Sequence, residues 1–262
     1  MALNAKPNRA HYALAELARR RPEFLTLSQN VDGLSPRARH PAAQLKLVHG
    51  SLFDVKCEDQ ACDYVREDDF TDPICSALAI PEDEAALTAQ FKARPNQDMQ
   101  AAMAKKAALV KGLDISNADI PIPRIPRSSL PHCPQCQSSL LRPGVVWFGE
   151  VLPETVLSDI DAYLNEVDPG AQAEGQGRGK SQPKRVDLCL VIGTSSRVFP
   201  AAMYASIARS MGARVAVVNM DRSDAPDLQQ GDWFFQGDAA EIVPEILKSV
   251  IGEVVVPQEE VE

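Results

Sequence analysis

The stretch Val186-Asp187-Leu188-Cys189-Leu190-Val191-Ile192-Gly193-Thr194-Ser195 decides the fold. A nearly continuous apolar run of this length, closed by a small-residue turn, is the text of a strand covered on both faces, as in parallel sheets flanked by helices. Phe199 to Met211 follows with a helical pattern and stops at Gly212, a residue suited to the left-handed cap that ends a helix. Arg214 to Asn219 reads as a second buried strand, Asp232 to Phe235 as a third, and Ala239 to Val250 as a closing helix. Strand, helix and strand at this spacing predict a right-handed crossover and an open parallel sheet, which makes the chain an α/β protein.

Upstream, Pro7-Asn8 is a turn signal, and His11 to Arg20 predicts a helix with Leu14, Leu17 and Ala18 on one face. Phe24 to Leu27 reads as a short buried strand that runs into Ser28-Gln29-Asn30, and Leu45 to Val48 as a short helix or strand. From about Phe53 to Leu140 the text changes: four paired cysteines, a helical pattern from Glu82 to Val110, and Pro121-Ile122-Pro123-Arg124-Ile125-Pro126. Such irregular text suits a small inserted module. Val145 to Gly149 reads as a strand or extended edge, and Glu154 to Val167 as a helix. Asp168 to Arg185 reads as a flexible loop; its Gly175-Gln176-Gly177-Arg178-Gly179 follows no strand and so lacks the setting of a phosphate-binding turn. The expected organisation is a Rossmann-like parallel sheet from 1–52 and 140–250, a zinc-binding module over 53–139, a loop at 168–185 and a disordered acidic tail at 251–262.

Composition narrows the function classes. The chain has 262 residues, 45% hydrophobic and 24% charged, as a soluble globular protein does. Its net charge of -9 argues against non-specific nucleic-acid binding but leaves room for a cationic protein substrate. No run approaches the roughly 20 apolar residues of a membrane span, and no signal peptide is visible. Six cysteines, four in two close pairs, point to metal ligation in a reducing, intracellular setting.

Cys57-x4-Cys62 and Cys133-x2-Cys136 close two short chelate loops, as a tetrahedral zinc needs, and four thiolates leave no open position, so the metal is expected to be structural. The alternative is four reduced cysteines paired by accident. Cys189 lies inside an apolar strand and reads as core. Gly193, Thr194 and Ser195 end one strand, and Asn219, Met220 and Asp221 end the next. Ligands of open α/β sheets sit beyond such ends, although either triplet could be a plain polar turn. Gln29, Asn30 and Asp32 end the Phe24 to Leu27 strand, where they would either tie loops together or grip a ligand. His49, on residues alone, is structural or catalytic.

Taken together, these segments resemble the sirtuins, the NAD-dependent protein-lysine deacylases. The resemblance is carried by Pro7-Asn8 with His11, Ser28-Gln29-Asn30-Val31-Asp32-Gly33, Val48-His49-Gly50 and the two cysteine pairs. It continues through Arg142-Pro143-Gly144-Val145-Val146-Trp147-Phe148-Gly149-Glu150, Gly193-Thr194-Ser195-Ser196 and Val198-Phe199-Pro200-Ala201-Ala202. Pro73-Ile74-Cys75 and the Val-Val-Trp-Phe-Gly-Glu wording are most similar to the class III branch, associated with desuccinylation, demalonylation and deglutarylation.

The resemblance implies His49 as general base, Gln29, Asn30 and Asp32 around nicotinamide and its ribose, and Gly193, Thr194, Ser195, Asn219, Met220 and Asp221 around the adenosine half of NAD, with Ala239 near the adenine. It implies Val145, Val146, Trp147, Phe148 and Gly149 as a strand partner for the substrate backbone, with Val198 and Phe199 opposite, and zinc on Cys57, Cys62, Cys133 and Cys136. The implied reaction moves an acyl group from a protein lysine to ADP-ribose and releases nicotinamide. Sirtuins usually open with a strand and a glycine-rich loop that holds the NAD phosphates. No glycine-rich stretch precedes Pro7, so the sheet is expected to be N-terminally incomplete and NAD binding impaired. The alternative from another class is a non-catalytic, zinc-stabilised peptide-binding or regulatory module. A generic NAD oxidoreductase is disfavoured because no dehydrogenase fingerprint is present.

Overall fold

The computed structural model describes residues 2–79, 125–166 and 185–257. The helical pattern of Glu82 to Val110, the proline-rich residues 121–124, residues 168–184 of the expected loop and residues 258–262 of the tail lie outside the described residues. In chain order the elements are helix α1 (Arg9–Arg20), strand β1 (Thr26–Ser28), helix α2 (Leu34–Arg37), and strands β2 (Leu45–Leu47), β3 (Gly50–Cys57), β4 (Val65–Arg66) and β5 (Leu141–Val145). They continue with α3 (Glu154–Leu164), β6 (Leu188–Ile192), α4 (Tyr204–Ser210), β7 (Arg214–Asn219), β8 (Trp233–Gln236) and α5 (Ala239–Ile251). The chain divides into two compact units, Met1–Asp54 with Pro143–Glu262, and Val55–Arg142.

The larger unit is α/β with parallel strands. β6, β7 and β8 form one sheet in that order, parallel throughout, with Ile192 opposite Val218 and Asn219 opposite Gln236. β7 is buried on both faces, as its unbroken apolar text requires. Val215 and Val217 pack with Ala225, Leu228 and Phe234, while Val218 packs into the principal core. That core joins Ala10, Ala13 and Leu17 of α1 to Val243, Leu247 and Ile251 of α5. The α1 residues recur at helical spacing, so one stripe of the helix meets the core. Asn8 caps α1 by accepting from the backbone N–H of Ala10 at 3.0 Å and of His11 at 3.3 Å. Asp238 does the same for α5 through Ala240.

A second parallel pair, β1 and β2, aligns Thr26 with Leu45. Val48, Leu152 and Ile160 form a separate core that α3 covers, with Leu27 and Val146 packed against it. Among the described residues no helix is long and apolar enough to cross a membrane.

Several expectations shift. The first strand is Thr26–Ser28, not Phe24 to Leu27, because the Gln44 side chain donates to the carbonyls of Arg21 and Phe24 and holds that segment out of a ladder. The helix expected over Phe199 to Met211 is a 3-10 turn at Ala201–Met203 followed by α4. β6 is half-buried, with Leu188 46% exposed, because among the described strands it is an edge. Of Val145 to Gly149 only Val145 lies in a strand; Glu150 donates its N–H to the Trp147 carbonyl and folds the rest into a turn.

Among its described residues the smaller unit has little apolar interior. β3 and β4 pair antiparallel over Val55–Arg66 and Lys56–Val65. The three clusters of buried apolar side chains found among the described residues all lie in the larger unit. In the smaller one the buried groups include the sulfur-bearing Cys57 and Cys133.

Candidate active site and metal centre

The strand ends of the larger unit bring the polar residues together. β6 runs out at Ile192, and Gly193 turns away with φ +60 and no heavy atom within 4 Å of where a Cβ would stand. β7 ends beside it at Asn219, followed by Met220, which is 68% exposed. These two ends form an open ledge at the carboxyl side of the sheet, where α/β proteins place nucleotides. The ledge fits a nucleotide in its donor set too: backbone N–H groups at Thr194 and Ser195, and a carboxylate at Asp221, while the Gly193 N–H is held by the Val218 carbonyl. Hydrogen bonds from Ser223, its backbone N–H foremost, hold the Asp221 carboxyl below the usual carboxylate range.

Gln29, past the end of β1, reaches this ledge. Its Nε2 donates to Thr194 Oγ1 at 3.3 Å, across 165 residues of sequence. The Gln29 backbone carbonyl lies 2.9 Å from His49 Nδ1. A carbonyl only accepts, so Nδ1 carries the proton and Nε2 keeps its lone pair. His49 in turn accepts through its own carbonyl from Val146 N–H at 2.9 Å, which fixes the start of the Val146 to Gly149 segment beside it. Gly50, next along, has φ +76 and lies so close to Gly144 that no side chain fits.

The remaining residues of the expected cofactor set divide by what they already bind. Asn30 is exposed and free of the ledge; its N–H donates to Ser28 Oγ. Asp32 accepts from the N–H of Leu34, the first residue of α2, at 3.0 Å. Asn219 is buried, with both ends of its amide engaged: Nδ2 donates to Thr194 O at 3.0 Å and Oδ1 accepts from Asp221 N–H at 3.1 Å. Ala239 opens α5 and packs against the principal core, two residues after Gly237, whose N–H donates to Asn219 O. Of the expected substrate-facing residues, Trp147, Phe148, Val198 and Phe199 are exposed apolar side chains, Phe148 almost wholly so at 98%.

Sequence reasoning gave His11 no role. It is half-buried against the same region: burial lowers its basicity and the Asp32 carboxylate partly restores it. Its only signal was its place after Pro7-Asn8.

In the smaller unit the sulfurs of Cys57, Cys62, Cys133 and Cys136 all lie within 4.8 Å of one another. Cys57 to Cys136 and Cys62 to Cys133 are each 3.7 Å apart. Zinc–sulfur bonds of about 2.3 Å at tetrahedral angles put sulfurs about 3.8 Å apart, so the cluster has zinc's dimensions. Burial pushes the Cys57 thiol up to about 12, whereas hydrogen bonds from Ser138 and Ser139 bring Cys136 down to about 6. Four sulfurs this close could all be thiolates only around a cation. Neither Cys75 nor His132 joins the group.

Residues 1–169 match the Sir2 family. An NAD-dependent protein deacylase of Candida albicans is 40% identical over 260 residues, covering 97% of this chain and 76% of the relative. The mitochondrial NAD-dependent protein deacylase sirtuin-5B of Xenopus laevis is 32% identical over 249 residues, covering 94% of this chain; the chain spans 62% of that relative's length. Among solved structures, a Sir2 homolog in complex with NAD superposes with a TM-score of 0.57 at 27% identity, over 95% of this chain and 66% of that one.

Proposed function

The chain belongs to the Sir2 family, and we propose that it is an NAD-dependent protein-lysine deacylase, transferring an acyl group from a lysine side chain to ADP-ribose and releasing nicotinamide. The observation that carries this is His49: its Nδ1–H is committed to the Gln29 carbonyl, leaving Nε2 as a base beside a ledge suited to a dinucleotide. NAD, the co-substrate, supplies an electrophilic ribose carbon that accepts the acyl oxygen as nicotinamide departs. His49 Nε2 takes the proton from a ribose hydroxyl so that this oxygen can attack the acyl carbon. Gln29, Asn30 and Asp32 line the nicotinamide side. Gly193, Thr194, Ser195, Met220, Asp221 and Ala239 hold the adenosine side.

The substrate peptide lies along Val145 and Val146, against the exposed Trp147, Phe148, Val198 and Phe199. Zinc on the four cysteines is structural, because no position is left for water. The mitochondrial label of several relatives supports a mitochondrial place of work, and the class III resemblance of Val145 to Glu150 supports an acidic acyl group such as succinyl. The non-catalytic alternative is not favoured, since the relatives are named as deacylases.

The test is nicotinamide release by the zinc-loaded full chain with NAD and acetyl- or succinyl-lysine peptides. Turnover that falls by about 10²-fold or more in His49→Ala supports the reading. Release that is undiminished in that variant, or absent with every acyl group offered, refutes it.

A further inference from the structure

The inference rests on the reading of the ledge as the NAD site and concerns how His49 is held there. Asn219 is 8% exposed, and its side chain points along the ledge, not out of it. Its Nδ2 donates to the Thr194 carbonyl at 3.0 Å and its Oδ1 accepts the Asp221 N–H at 3.1 Å, so one amide ties the turn after β6 to the turn after β7. The same Thr194 accepts through Oγ1 from Gln29 Nε2 at 3.3 Å and from Ser196 N–H at 3.2 Å. Gln29 then holds His49 Nδ1 through its carbonyl at 2.9 Å. The links form one chain, Asp221–Asn219–Thr194–Gln29–His49, in which each polar group is used with its proper sense of donation.

We propose that Asn219 and Thr194 are positioning residues: a brace that holds Gln29, and through it the His49 tautomer, in register with the adenosine end of the site. The assignment of Asn219 changes accordingly. A direct hold on ribose would present its amide to the ligand, whereas the amide here is spent within the protein. A part-buried chain of this kind transmits displacement, because losing one bond leaves its partner unpaired.

The experiment reads the imidazole itself. The full chain, labelled with 15N-histidine and zinc-loaded, is compared with Asn219→Ala, Thr194→Val and Thr194→Ser by NMR. The unaltered chain should show His49 ring nitrogens with the wide separation of a single Nδ1–H tautomer. Asn219→Ala and Thr194→Val should draw the two resonances together as the tautomers mix. Thr194→Ser, which keeps the hydroxyl, should leave them apart. A His49 signature that is unmoved in both Asn219→Ala and Thr194→Val, or moved equally by Thr194→Ser and Thr194→Val, overturns the brace. Nicotinamide release by the unaltered chain tests the NAD reading separately, so either can fail without the other.

Discussion

Replacing Gly50 by alanine should be among the most damaging single-atom additions in the larger unit. Gly50 has φ +76, and an alanine Cβ there would stand 2.0 Å from the Gly144 carbonyl oxygen and 3.5 Å from Val145 Cα. The obstacle is backbone, so no side-chain rotation relieves it. Gly193 is the internal control: its φ is +60, but nothing lies within 4 Å of the new Cβ. Both substitutions carry the left-handed penalty of about 1–2 kcal/mol. Only Gly50→Ala adds overpacking, about 1–3 kcal/mol and toward the upper end against a carbonyl. Gly50→Ala should therefore lose about 3–5 kcal/mol and Gly193→Ala about 1–2, out of a total that is commonly about 5–15. With a urea slope of about 2 kcal/mol per molar, the two midpoints should differ by about 1 M or more. Urea unfolding followed by far-UV circular dichroism measures this. Midpoints that coincide would refute the claim that the Gly50–Gly144 contact, and with it the seat of His49, is closed to side chains.

Purified chain should carry about one zinc, released by thiol-reactive reagent and counted colorimetrically, and Cys133→Ser should carry essentially none. Stability should fall on acidification from about pH 7 to about pH 5. Burial lowers both His11 and His40 from the ordinary 6.5, so the unfolded chain takes up protons there that the folded chain refuses. Replacing His40, whose Nε2 lies 2.9 Å from Thr26 Oγ1, by glutamine should flatten the dependence of the unfolding midpoint on pH. An unchanged slope in His40→Gln counts against burial as the cause. Asp232 accepts from Val215 N–H, Gln229 N–H and Arg209, which together outweigh the effect of burial and hold its carboxyl below the usual range. Asp232→Ala should lower the thermal midpoint more than Asp238→Ala, which removes a single helix-cap bond; the reverse order would show that the three-way clamp is not the stronger device.

What could be read from the residues depended on how local the cause was. β7 was legible to the residue, since Val215 to Asn219 is buried on both faces after the exposed Arg214, and its text says so. β6 has equally apolar text, yet Leu188 is exposed, because composition does not encode whether a strand lies in the middle of a sheet or at its edge. Trp147 and Phe148 have strand propensity that two bonds override, from Glu150 N–H to the Trp147 carbonyl and from Trp147 N–H to the Glu150 carboxylate. The thiolate quartet was legible from spacing alone. The Gln29–Thr194 bond was not: nothing in either neighbourhood names a partner 165 residues away. Asn219 was correctly placed at a strand end, but only coordinates show that its amide is occupied from both sides.

The union of α1 with α5 has a consequence in time. Arg9 and Glu241, paired at 2.9 Å, are 232 residues apart in sequence, and the principal core needs both helices. At about 5–20 residues per second, a ribosome takes roughly 10–50 s to separate the synthesis of one from that of the other. For that interval the Ala10, Ala13 and Leu17 stripe lacks the Val243, Leu247 and Ile251 side of its core. High contact order of this kind slows closure and leaves apolar surface open to misassociation. The nascent chain must therefore carry α1 as an unfinished surface, a natural client for chaperones, until α5 arrives to cover it.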